Sequence, residues 1–382
     1  MGALFLLCAL GCGSYFCEGG ALGPRRFEGK GAVSVELGTF VAHLMTNPLM
    51  VAVTLLNVGV IIVNGATDAP NAIATVVSTR SMKPRPAIIL AAVCNFLGLL
   101  VVSMFTSAVA STIFNMVNFG GDNTVAIAAL AAAMVAIIVW GGAAWYFGIP
   151  TSQSHSLIAG LTGAAIAAMG SLDAINWNEW VKVIYGILLS TFLGFGLGWF
   201  TAKAVAFLCR GVNRHKANEV FHWCQIAAGA GVAFMHGAQD GQKFMSVFLL
   251  GIALSAGLGQ SAELALPVWL MVLCAINMGL GTAIGGERII KNVAMNMTHL
   301  EVYQGFSASF SATLCLILAT FTGMPVSTTH VKTTAIMGVG AAKRKTAVKW
   351  QVAIDMVKTW VLTFPGCGLI GFLMAELFLM FI

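Results

Sequence analysis

The sequence predicts an all-α polytopic membrane protein. It is expected to consist of two inverted-topology repeats with broken or re-entrant half-helices, in about 10–12 membrane segments. Three observations predict this. Of 382 residues, 58% are hydrophobic and 9% charged, with a mean hydropathy of +0.89, whereas a soluble domain carries roughly 25% charged residues. Apolar runs long enough to cross a hydrocarbon core of about 30 Å recur along the chain. Two polar motifs each occur twice, in the same order and at nearly equal spacing.

Residues 1–45 are apolar but broken by glycines and followed by Arg25, Arg26 and Lys30. They fit a signal-like segment, an extra span or an upstream extension, and are left unassigned. The first repeat is expected over 46–202, with apolar segments near 46–80, 87–110, 124–147, 150–170 and 180–202. A cytoplasmic linker follows at 203–219, carrying Lys203, Arg210, Arg214 and Lys216. The second, inverted repeat takes 220–382, with segments near 220–256, 264–285, 302–322, 327–342 and 347–381.

The net charge of +6 does not mark a nucleic-acid surface, because Lys and Arg cluster in short loops between apolar runs. Nine cysteines are scattered without a CxxC pair, so they read as small buried hydrophobes, with no disulfide or metal site inferred. The motif "GLGTAIGG" at 279–286 lacks nucleotide-loop spacing and reads as helix packing. "ERIIKNVAMNMTHLE" at 287–301 reads as an amphipathic helix on the cytoplasmic surface. Asp355 and Lys358 read as a mutually neutralising pair, and His43 as part of a solvated N-terminal segment.

The repeat rests on four stretches. "GATDAPN" at 65–71 matches "GAQDGQK" at 237–243, and "PTSQSH" at 150–155 matches "PVSTTH" at 325–330. Asp68 to Pro150 is 82 positions and Asp240 to Pro325 is 85. The loop after the first Asp motif is basic (Arg80, Lys83, Arg85), and that after the first Pro-Ser-His helix is acidic (Asp173, Glu179). In the second half the order flips: "SAGLGQSAE" at 255–263 has no Lys or Arg, and Lys343, Arg344, Lys345 and Lys349 follow the second such helix. Loop charge therefore inserts the halves with opposite polarity.

Charges within a membrane are costly unless paired or facing a cavity, so those in the motifs are functional candidates. Proline suits a first helical turn and Ser or Thr caps it, so the Pro-Ser-His motifs read as helix starts inside the membrane. Free N–H groups and a positive dipole end there suit an anion. Thr151, Ser152 and Ser154 with Ser327, Thr328 and Thr329 would form a donor-rich cage for an oxyanion, with His155 and His330 beside it. Asp68 and Asp240 must then hold a cation or a proton. Asn71 shares a helix face with Asp68, and their oxygens, with carbonyls near Gly65, could ligate Na⁺. Lys243 stands where Asn71 does, as a fixed ammonium in place of a bound cation. Burial opposes an ionised carboxylate and a neighbouring ammonium favours it, and both outcomes stay open. Lys332 either faces the site or reaches the interface.

These four motifs resemble the inorganic phosphate transporter (PiT) family, which carries a duplicated "GANDVANA" type of signature and paired "P-[TV]-S-x-[ST]-H" segments in inverted repeats. The resemblance spans roughly residues 46–382 and, through "HGAQDGQK" at 236–243 with His236, is similar to the family's bacterial branch. It implies import of inorganic phosphate by alternating access at a midplane site, coupled to H⁺ or Na⁺, or as a complex with a divalent metal. Phosphate would be held by Thr151, Ser152, Ser154, Ser327, Thr328 and Thr329. Asp68, Asn71, Asp240 and Lys243 would serve the coupling ion. Thr67, Gln239 and Lys243 depart from the family pattern, which favours H⁺ over two full Na⁺ sites. Sulfate or another tetrahedral oxyanion is the alternative cargo, Na⁺ the alternative ion, and a homodimer the implied assembly. No organic cofactor is implied. A Ser-His hydrolase is disfavoured: the GxSxG elbow is missing, and one nucleophile would not occur in two related places.

Overall fold

A computed structural model describes residues 36–147, 151–256, 266–296, 300–344, 346, 348 and 350–382, with side chains left undescribed at 39, 285–296, 352, 355 and 356. Pro150, Lys345, Lys349, the 257–263 loop and the Asp355 side chain therefore lie outside the described residues.

The helices are α1 (Leu37–Thr46), α2 (Pro48–Thr67), α3 (Ala69–Ser78), α4 (Pro84–Ser103), α5 (Ala108–Phe114), α6 (Asn123–Phe147), α7 (Gln153–Met169), α8 (Trp177–Leu188), α9 (Gly194–Leu208), α10 (Arg214–Ser255), α11 (Val268–Asn296), α12 (Val302–Phe321), α13 (Thr328–Lys343) and α14 (Trp350–Leu379). Local chemistry sets many of their ends. Asn47 caps α2 by accepting from Leu49 N and Met50 N, with Pro48 at the first position. Gly170, at φ +65°, closes α7 in the left-handed conformation that glycine adopts freely. Glu301 and Gln304 form a reciprocal capping box at the start of α12.

Six described segments are long and apolar enough to cross a membrane: Pro48–Ser78, Pro84–Ser103, Asn123–Phe147, Trp177–Leu208, Val302–Phe321 and Val357–Leu379. The chain is thus a multi-pass helical membrane protein. Its pattern is inside-out relative to a soluble domain: Leu55, Phe192, Phe200 and Leu369 are exposed, while Asp68, His236, Asp240, Lys243 and Lys332 are buried. At about 1.5 Å per residue, α7 and α13 (17 and 16 residues) are too short to cross.

These two short helices finish near opposite ends of α12, for Thr112 beside residues 115–118 bonds Gly323 O just past its end, and Glu301 caps its start. Loop 170–176 after α7 meets residues 115–118, through Asn118 N donating to Ala174 O and Asn176 N to Met116 O. Lys343 at the end of α13 instead pairs with Glu301, which also holds Arg214. Each short helix is clasped in the same way: α7 lies against α6 and α14, and α13 against α12 and α9. Likewise α2 packs on α11 and α4 on α10.

Glycine permits these last two contacts. A Cβ on Gly98 would strike the Phe234 carbonyl and one on Gly237 the Asn95 carbonyl, where α4 crosses α10; Gly65 and Gly281 stand likewise against the Met278 and Ile62 carbonyls. Close backbone approach of this kind is how helices associate where lipid supplies no hydrophobic drive.

Several local expectations are corrected. The first Asp motif interrupts its helix at Asp68, but the second does not: α10 runs unbroken through Asp240. Pro70 lacks the N–H and crowds the carbonyl four residues back, whereas Gln242 at the matching position continues the ladder. The apolar run at 87–110 ends its helix at Ser103 before α5. The 287–301 stretch is a continuation of α11 as far as Asn296, and the expected linker is mostly helix, with only 209–213 between α9 and α10. His43 lies half-buried on α1, whose Phe40 stacks on Trp269 at 4.9 Å.

Replacing Gly237 by Val should cost about 1–3 kcal/mol through overpacking against backbone. Gly142→Ala, where an added Cβ meets nothing within 4 Å, should be neutral or stabilising by up to about 1 kcal/mol. Thermal unfolding in detergent separates the two.

Candidate functional site

Both short helices begin on a serine in extended conformation. Ser152 Oγ accepts from His155 N at 3.3 Å, and Ser327 Oγ accepts from His330 N at 3.2 Å. The caps expected from sequence are therefore present. Pro325, however, lies two residues before the Ser327 cap rather than in the first turn, because the capping serine takes the position that ends the extended strand of chain. The starts of α7 and α13 meet: the His155 and His330 rings are perpendicular with centroids 4.4 Å apart. Trp360 lies over His330 (3.4 Å) and Phe364 against His155 (4.7 Å), both from α14.

The two Asp motifs each reach both helix starts. Gln153 N, at the first turn of α7, donates to Asp68 Oδ2 at 3.2 Å, and Asn71 Nδ2 donates to Thr329 Oγ1 at 2.9 Å. From α10, Lys243 Nζ donates to Asp240 Oδ1 (2.7 Å), Ser154 Oγ (2.7 Å) and Val326 O (2.6 Å). Ser154 Oγ lies 3.4 Å from Asp240 Oδ1. Four motifs spread over more than 260 residues thus form one buried cluster.

A polar chain leads away from Asp240. Thr282 Oγ1 donates to Met278 O at 2.8 Å, so it accepts from Asn95 Nδ2 at 3.2 Å. That leaves Asn95 Oδ1 to face His236 Nδ1 at 3.0 Å, which fixes Nδ1 as the donor. His236 Nε2 then faces Asp240 Oδ2 at 3.3 Å. A hydrogen bond there needs one further proton, on the imidazole or on the carboxyl. This pair can hold a single proton.

The other candidates are placed as follows. Gln239 Nε2 donates to Met324 O at 3.2 Å, on the approach to α13. Thr67 Oγ1 turns back to Val63 O, a local bond. Thr151 Oγ1 meets Trp140 Nε1 and Thr363 Oγ1, so it flanks the cluster and ties it to α6 and α14. Lys332 is buried, not snorkelling, and donates to Ser309 Oγ at 2.7 Å.

Within the cluster Asp68 Oδ1, Asn71 Oδ1, both polar atoms of the Gln153 side chain, Thr328 Oγ1, His155 Nδ1 and both His330 nitrogens are buried without a hydrogen-bond partner among the described residues. Unsatisfied polar atoms in a membrane interior are costly, and they concentrate where the two helix starts meet. Sequence reasoning missed Gln153, Asn95, Thr282 and Ser309. The isolated Asn95 and Gln153 were visible as polar side chains in membrane segments.

The model of the phosphate transporter family matches residues 64–371. The chain belongs to that family. Relatives named "Probable low-affinity inorganic phosphate transporter" are 39% identical over 309 residues in Bacillus subtilis (strain 168), covering 81% of this chain and 91% of the relative. In Rhizobium meliloti (strain 1021) the figure is 36% over 324 residues, covering 85% and 95%. A solved structure titled "The sodium-dependent phosphate transporter" has the same fold, with a TM-score of 0.79 at 22% identity, over 88% of this chain and 100% of that one. This membership agrees with a transporter rather than the disfavoured hydrolase. In this phosphate transporter family member all four motifs lie inside the matched segment, and Asp68, Asn71, Asp240 and Lys243 meet in it.

Removing the Lys243 ammonium strands the buried Asp240 carboxylate. Lys243→Met should therefore destabilise by about 3–5 kcal/mol. Lys243→Met with Asp240→Asn should lose clearly less than the sum of the single changes, as a double-mutant cycle of unfolding midpoints would record.

Proposed function

We propose that this protein is an H⁺-coupled symporter importing inorganic phosphate by alternating access, built from two inverted repeats, 46–202 and 220–382. The finish of α7 and α13 near opposite ends of α12, and their matching clasps by α6/α14 and α12/α9, support the repeats. The phosphate relatives support the cargo. A central tetrahedral anion would sit between the two helix starts, taking donors from Ser152, Ser154, Ser327, Thr328, Thr329 and Gln153. Capping does not spend the Ser152 and Ser327 protons, because each hydroxyl accepts through oxygen and still has its O–H to donate.

The observation that carries the coupling is the bond from Gln153 N to Asp68 Oδ2. A helix start in the membrane is an anion site, and here a carboxylate of the protein occupies it. Phosphate and ionised Asp68 compete for the same positive end. A proton on Asp68 removes its charge, loosens this hold and yields the helix start to phosphate, so proton and phosphate move together. The His236–Asp240 pair offers a second place for one proton.

Asn71 Oδ1 and Asp68 Oδ1, both unpaired among the described residues, are the oxygens that would hold Na⁺ in the alternative. On the matching side Lys243 already fills the position against Asp240. Sodium dependence of the structural relative keeps this arm testable.

In proteoliposomes, an inward proton gradient should drive phosphate uptake without Na⁺. Asp68→Asn should keep phosphate exchange while losing about tenfold or more of the gradient-driven acceleration. Uptake that follows Na⁺ and ignores imposed pH gradients would replace H⁺ by Na⁺. Lys243→Asn, restoring the Asn of the first motif, should introduce a Na⁺ response. Sulfate competing equally with phosphate would change the cargo.

A further inference from the structure

Lys332 hydrogen-bonds to none of the central-cluster side chains among the described residues. It is 1% exposed, and its one hydrogen bond among the described residues is to Ser309 Oγ, itself 2.9 Å from Thr75 Oγ1. No carboxylate lies within ion-pair distance of it among the described residues. An ammonium buried in a membrane protein without a counter-charge is expensive and marks an ion pathway.

Its position is informative. Thr75 stands two turns along α3 from Asp68, towards the basic loop with Arg80, Lys83 and Arg85. One turn further, Thr79 Oγ1 bonds Ser81 Oγ at 2.9 Å. A Cβ on Gly305 would meet Thr79 at 2.7 Å and the Gln225 amide at 2.9 Å, so all three share that level. Gln225 is wholly buried and neither of its side-chain polar atoms has a partner among the described residues. Polar groups therefore continue from the central cluster through Lys332, Ser309 and Thr75 to Gln225 and Thr79, on the face where Arg214 and Lys343 meet Glu301.

The matching positions on the other side of the cluster are apolar. Motif alignment pairs Lys332 with Leu157 and Thr75 with Val247, both wholly buried in the main hydrophobic cluster. At these matched positions one side carries hydrocarbon, while the other carries a cation, a hydroxyl and, one level on, the unpaired Gln225 amide among the described residues. Packing alone does not require that difference.

We propose that Lys332, Ser309 and Thr75 form a second oxyanion subsite, which phosphate occupies between the central cluster and the basic face as it leaves. This deepens the transport reading above and rests on it. The ammonium supplies the charge-assisted bond, Ser309 and Thr75 supply hydroxyl donors, and the Gln225 amide stands ready at the next level. The subsite lies on one side, so it acts on phosphate at the basic face and leaves phosphate at the opposite face unaffected.

The test compares phosphate affinity at the two faces of the full-length protein, by exchange of labelled phosphate in right-side-out and inside-out vesicles. Lys332→Met should raise the half-saturating phosphate concentration at the basic face about tenfold or more, with less than a twofold change at the other. Lys332→Arg should keep most of the wild-type asymmetry. Ser309→Ala, which removes the one protein partner, should show a smaller shift of the same sidedness, and it carries the test should Lys332→Met not fold. Equal shifts at both faces would assign Lys332 to the central site and overturn the proposal; no shift at either face would overturn it too. If the unmodified protein exchanges no phosphate, the transport reading itself fails, a result distinct from either.

Discussion

The arrangement depends on an ammonium held by three elements at once. Lys243 reaches Asp240 on its own helix, Ser154 on α7 and the Val326 carbonyl just before α13. The short helices α7 and α13 cannot span the membrane, so their inner ends need something to fix them. Lipid offers no hydrogen bonds, and the ammonium satisfies its donors only where these three acceptors converge. Such a buried pair adds little net stability over apolar packing, since desolvation offsets the attraction. What it does is select one geometry. The same constraint explains the glycines: with Gly237 against Asn95 and Gly98 against Phe234, α10 lies close enough to α4 for His236 to meet Asn95.

Near-symmetry makes the differences meaningful. Where the first half carries Asn71 and Leu157, the second carries Lys243 and Lys332, so both buried ammoniums belong to one half. Counted fully ionised, they balance Asp68 and Asp240. A doubly charged phosphate entering that interior would leave two negative charges without partners, which a membrane interior does not tolerate. Protons on the carboxyls or on the phosphate itself remove that excess. Without the Lys332 ammonium the same count would leave three negative charges, so Lys332 lowers the protons or cations required from three to two.

The motifs were legible because each is a cluster of polar residues in an apolar run, repeated at matched spacing. The site follows from them: Asp68, Asn71, Ser154, Thr329, Asp240 and Lys243 are brought together, and the serine caps are where Ser152 and Ser327 predicted. What stayed hidden is contact between distant elements. Nothing local in "PTSQSH" says that the Gln153 N–H meets a carboxylate 85 residues away. Nor does the pattern around Lys332 distinguish a side chain turned to Ser309 from one reaching the interface. The unbroken α10 was readable in principle, since Gln242 replaces the Pro70 that interrupts the first copy.

The bond between Asp68 and the start of α7 also explains how a site lined with donors can stand closed. A helix beginning within the membrane leaves N–H groups that need acceptors. The serine cap satisfies one N–H and Asp68 another, so the protein supplies its own anion in the guest's place. At the start of α13, among the described residues, no carboxylate does this; the Asn71 amide bonds Thr329 instead, and Thr328 Oγ1 and the His330 nitrogens remain unpaired. The two halves are thus unequal receivers. One helix start carries an internal carboxylate and the other a neutral amide, so under the transport reading proposed above an incoming anion would meet α13 first and gain α7 only as Asp68 gave way.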